Sequence, residues 1–106
     1  MPEFYMAKND RKPSLEAVLM HNGVAVNLTG CTAKFYMKKD DTVLIDGHSA
    51  VIVDATAGLV RYDWGAGETN VEGKCSGEFE ITFADNKPWT FPAKGDLIVN
   101  FRERFS

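Results

Sequence analysis

The chain reads as an all-β fold, and three observations predict it. Short segments alternate apolar and polar side chains with a period of two; Gly, Asn, Asp or Pro punctuates them at regular intervals; helical periodicity is nearly absent. About seven such segments with turn signals between them predict an antiparallel two-sheet β-sandwich, with a small barrel as runner-up. The 106 residues are 44% hydrophobic and 25% charged, the balance of one folded domain. No repeat, low-complexity tract or Pro- or Ser-rich linker divides them, so residues 1–106 are expected to form a single domain.

The first predicted strand is Phe4–Ala7, with residues 1–7 as a candidate N-terminal arm. After Pro13, Leu15, Ala17 and Leu19 alternate with Ser14, Glu16 and Val18, and His21-Asn22-Gly23 reads as a tight turn because Asn and Gly accept positive φ. In "VNLTGCTAKFYM", residues 26–37, Val26 and Leu28 close one short strand that begins at Val24, and Thr29-Gly30 breaks it. The next strand then sets Cys31, Ala33, Phe35 and Met37 on one face. Val43–Ile45 fits a short strand or an ordered loop before Asp46-Gly47. Ala50–Asp54 and Leu59–Trp64 flank a hairpin connection ending in Gly58. Gly73–Ala84 is the longest strand candidate, with Cys75, Gly77, Phe79, Ile81 and Phe83 on one face. Trp89–Pro92 reads as an edge segment because proline lies at both of its ends. After a break at Lys94-Gly95-Asp96, Leu97, Val99 and Phe101 alternate through the last strand.

Composition excludes several functions. The net charge of -3, with both signs interspersed, gives no long-range attraction for nucleic acid or an anionic membrane. No stretch approaches the ~20 apolar residues of a membrane-spanning helix, and the N-terminus lacks a basic region followed by an apolar one. Cys31 and Cys75 match no metal or redox spacing and are expected to be buried free thiols.

No catalytic, metal or cofactor site is expected. His21 and His48, the only imidazoles, sit in turn-like polar stretches without a nucleophile and an oxyanion signature. Asp40, Asp41, Asp46 and His48 lack the ligand spacing of a calcium loop and read as solvated. Glu78 and Glu80 share one strand face and read as solvent-exposed, and Gly65-Ala66-Gly67 reads as a turn rather than a phosphate loop. Trp64 is in phase with Val60 and Tyr62 and belongs to the core. Trp89 lies between a turn and Pro92, where an exposed indole can stack on a sugar or anchor an interface.

The order of landmarks resembles a family. "GVAVNLTGCTAKFYM" resembles the G-x-P-V-D-L-T-G-x-x-V-x-F-x-M stretch of tailed-phage virion domains similar to the N-terminal domain of the upper baseplate protein of lactococcal phages. "AGLVRYDWGAGETNVEGKCSGEFEITFADNKPWTFP" is similar to that family's later G-x-V-x-Y-x-W, E-F-x-V-T and T-x-P landmarks. Leu28, Thr29 and Gly30 fall on its L-T-G, Phe35 and Met37 on strand apolars, Tyr62 and Trp64 on its Y-x-W, and Gly73, Glu78, Phe79, Thr82 and Pro92 on later positions. Ala25, Glu68 and Cys75 depart from its proline, aspartate and tyrosine.

The resemblance implies an immunoglobulin-like sandwich that is a non-enzymatic structural component of a phage virion, either a tail or baseplate adaptor or a head decoration. The implied partners are other virion proteins, with several copies or a homo-oligomer on the particle and synthesis in the bacterial host cytoplasm. The chain ends soon after its last strand, so it is expected to act as a free-standing module through its edges and termini. Phe4, Tyr5, Met6, Trp89 and Phe105 are the interface candidates. The alternative function is a carbohydrate or host-surface binding module using exposed aromatics such as Trp89.

Overall fold

Alternating segments become strands where their backbone groups find neighbours, and the computed structural model describes residues 3–92 and 97–105. Residues 1 and 2 of the expected arm and the Lys94-Gly95-Asp96 break lie outside the described residues. The strands are β1 (Glu3–Ala7), β2 (Leu15–Val18), β3 (Met20–His21), β4 (Val24–Ala25), β5 (Thr32–Lys39), β6 (Thr42–Asp54), β7 (Leu59–Tyr62), β8 (Gly73–Thr82), β9 (Pro88–Phe91) and β10 (Leu97–Arg102). Eight of them form one near-barrel sheet, in the order β1-β10-β8-β5-β6-β7-β2 with β9 also on β8. The β3–β4 hairpin stands apart.

The all-β class is as the sequence predicts, but the strands join in one hydrogen-bonded path where two sheets were expected. The reason is β6. Its 13 residues pair with β5 through Thr42–Ala50 and with β7 through Val51–Asp54, so one strand serves both halves. Two register shifts against β5 and a positive φ of 74° at Gly47 supply the bend and added twist that such a passage needs. The sequence suggested separate segments on either side of Asp46-Gly47 because a turn and a bulge use the same residues.

Two further expectations are corrected. The sheet is not wholly antiparallel: β1 lies parallel to β10, Phe4 opposite Val99 and Met6 opposite Phe101. The first strand thereby closes the edge left by the last, a parallel pairing made possible by the long crossover between them. The run from Val24 to Leu28 is a strand only at Val24–Ala25. Beyond it, Val26 N–H donates to Leu19 C=O and Leu28 N–H to Ala55 C=O, so loop contacts satisfy the backbone where a ladder was expected. Leu28 still reaches the core with 1% of its surface exposed.

The core centres on Phe35, whose ring lies 4.6 Å from Tyr62, 4.9 Å from Phe79 and 6.0 Å from Trp64. Met37, Ile45, Val60, Ile81 and Val99 surround this cluster and are fully buried. Burying each such side chain contributes roughly 1.5–3 kcal/mol. Gly77 makes room: a side chain there would meet the Phe35 ring at 3.0 Å. Cys75 is a buried free thiol as expected, whereas Cys31 is only half-buried beside the Gly30 turn.

Candidate functional site

The sheet positions its expected interface residues differently. On β1, Met6 is buried against the core and Phe4 is half-buried, while Tyr5 points outward and is 67% exposed. Alternation on a paired strand forces this split, because neighbouring side chains take opposite faces. Tyr5 sits opposite Asn100, itself opposite Lys74, beside a cavity of about 340 Å³ also lined by Asp10 and Arg102. The β1 strand ends the sheet, and Phe105, 97% exposed, follows β10 with the Arg102 guanidinium 5.3 Å from its ring. Tyr5 on the edge strand β1 and Phe105 just after its neighbour β10 are thus both exposed aromatics.

The two tryptophans separate: Trp64 is in the core as its spacing suggested, and Trp89, which spacing left open, is not. Trp64 is 3% exposed and its indole N–H donates to the Pro13 carbonyl at 3.2 Å. Trp89 is half-buried, packed edge-on to His21 at 5.1 Å and tilted against Phe91 at 4.7 Å and Phe83 at 6.2 Å. It lines an open cavity of about 300 Å³ with Phe83, Asp85, Lys87 and Pro88.

A polar cluster that sequence reasoning missed joins His48, Tyr62 and Glu68. Tyr62 Oη donates to the Glu68 carboxylate at 2.7 Å, Gly65 N–H donates to it at 2.5 Å, and His48 Nδ1 lies 2.7 Å from Glu68 Oε2. His48 is exposed, as expected, but it lies on a strand beside the Gly47 bulge where a turn was expected, and it is partnered by a carboxylate. Burial pushes the Tyr62 phenol up, and the Glu68 charge adds to that. For Glu68 burial acts upward, yet the hydrogen bonds from Tyr62, Gly65 and His48 outweigh it and hold the carboxyl below its usual value. A carboxylate held by these donors is a poor base, and its evident role is to tie the turn after β7 to the β7 strand. The only sequence signal was Glu68 itself, standing where the resembling family has aspartate.

The remaining chemical candidates do not converge. Glu78 lies on the solvent face with the half-buried Glu80, which accepts a long hydrogen bond from Tyr36 Oη at 3.4 Å. Among the described residues, no group of three or more His, Cys, Asp or Glu side chains is placed to hold a metal ion, and no helix is long and apolar enough to cross a membrane.

Fold and sequence together define a phage structural domain. The family model described as the BppU N-terminal domain matches residues 5–90, and the chain belongs to that family, one of phage baseplate structural domains. Among solved structures, it is similar to the N-terminal domain of phage TP901-1 ORF48, with a TM-score of 0.67 and 14% identity over 96% of this chain and 99% of that one. It is also similar in fold to CopC from Methylosinus trichosporium OB3b, with a TM-score of 0.55 and 9% identity over 100% of this chain and 89% of that one. No curated protein sequence matches the chain.

Proposed function

We propose that the chain is a non-enzymatic structural component of a tailed-phage baseplate, built as an immunoglobulin-like β-sandwich variant and acting through protein–protein contacts. The family match over residues 5–90 carries this reading. The domain is made in the host cytoplasm and joins other virion proteins in several copies on the particle. Its contact surface is the β1–β10 edge, where β1 ends the sheet and Tyr5 and Phe105 are exposed. An edge strand offers backbone N–H and C=O groups to a neighbouring chain, and an aromatic beside it supplies an anchor.

The test uses substitutions outside the core, because removing residues 1–7 would also remove the buried Met6 and Ala7. Tyr5→Asp combined with Phe105→Asp is expected to leave stability unchanged to within about 0.5 kcal/mol. Incorporation into purified particles, read by quantitative mass spectrometry, should fall at least about tenfold, the loss of one good anchor contact. Full incorporation of the double variant would remove this edge as the contact. Labelling of the head in immuno-electron micrographs would replace the baseplate with a head-decoration role.

A further inference from the structure

We infer that the Trp89 corner is a shallow binding site for a neutral pyranose ring of a saccharide. This site lies on β9 and the turn before it, away from the exposed aromatics assigned to assembly, and it does not depend on that reading. The turn is internally fixed. Phe83 N–H donates to Lys87 C=O at 3.0 Å, Asn86 N–H to Phe83 C=O at 2.8 Å, and Lys87 N–H to Asp85 Oδ1 at 3.1 Å. These bonds fix the turn that carries Asp85 and Lys87, which line a cavity of about 300 Å³ together with Phe83, Pro88 and Trp89. The indole is fixed in turn by His21, Phe83 and Phe91, so it needs little reorganisation to receive a ligand.

Chemistry selects the ligand class. An aromatic face is electron-rich and attracts the weakly positive C–H groups on one face of a sugar ring. Asp85 accepts hydrogen bonds from hydroxyls and Lys87 donates to them, which gives orientation on a shallow platform. A cation would meet the Lys87 ammonium, and an anion would meet Asp85, so the paired charges disfavour both. A nucleotide would bring phosphate to a chain of net charge -3. A neutral polyhydroxylated ring offers C–H groups to the indole and hydroxyls to Asp85 and Lys87 without adding a charge.

The full chain carries two tryptophans, so its indole N–H signals in a ¹⁵N-correlated NMR spectrum provide a site and a reference. Titration with methyl glycosides of glucose, galactose, rhamnose and N-acetylglucosamine should shift the Trp89 indole and the Lys87 amide saturably for at least one sugar. The buried Trp64 indole should stay fixed. Asp85→Asn keeps an acceptor for the turn, and Lys87→Met keeps the stem of the side chain. Each is expected to weaken binding roughly tenfold, the loss of one charge-assisted hydrogen bond, with an unchanged thermal midpoint. The proposal is overturned if no sugar moves Trp89 at tens of millimolar, if Trp64 moves with it, or if both variants bind as the parent does. A shift with adenosine monophosphate and none with the sugars also overturns it.

Discussion

Trp64 and Trp89 each sit in an aromatic cluster, yet one cluster holds the fold together and the other is left half open. Trp64 contacts Phe35, Tyr62 and Phe101, lies in the core and has its indole N–H satisfied by Pro13. Trp89 packs on residues of one edge and the β3–β4 hairpin, where β9 has β8 as its only partner strand among the described residues. Similar ring chemistry therefore serves stability where residues of β5, β7 and β10 enclose the ring, and remains available for contact where the sheet ends.

The largest expected effect tests this contrast directly. Trp64→Ala should cost about 3–5 kcal/mol in urea unfolding, the range for removing a buried large aromatic. Trp89→Ala should cost roughly half as much, because the half-buried ring has less surface to lose. Equal losses would break the comparison.

Glu68 offers a smaller test of what holds the Trp64 side in place. Glu68→Ala removes the acceptor for Tyr62 and Gly65, and unsatisfied groups of this kind cost roughly 1–3 kcal/mol. The folded chain holds the Glu68 carboxyl below its unfolded value. Its contribution is therefore complete above the ordinary carboxyl range and is lost as pH falls through the lowered folded value. Acid unfolding should consequently narrow the gap between parent and variant, and a gap constant to low pH would assign the loss to packing alone.

The smallest effect changes no stability and reads exposure alone. Cys31 is half-buried and Cys75 fully buried, and burial is the main cause pushing both thiols up. A thiol reagent should label Cys31 slowly in the native chain and both residues after unfolding. Labelling of Cys75 at the native rate of Cys31 would show the β8–β10 region opening freely.

Much of this was legible in the sequence. Alternation alone placed Phe35, Met37, Phe79 and Ile81 inside, since a paired strand has only two faces and one of them must leave water. It also put Trp64 in the core, while Trp89 stayed open between core and surface. The Leu28-Thr29-Gly30 signature was read correctly as a buried leucine followed by a turn, although the strand expected before it is mostly irregular. The Tyr62–Glu68–His48 cluster was not legible, because its members come from a strand, a turn and a bulged strand brought together only by folding.

The sequence by itself determined the all-β class and the core face of most strands, because period-two patterning and turn residues are local properties that need no partner to be seen; the order of its landmarks carried the resemblance to the family. Tertiary structure decided which strands became neighbours. It made β6 one bent strand, set β1 parallel to β10, and separated the Trp89 corner from the Tyr5 edge. Pairing depends on backbone hydrogen bonds between distant segments, and every strand carries nearly the same donors and acceptors whatever its side chains.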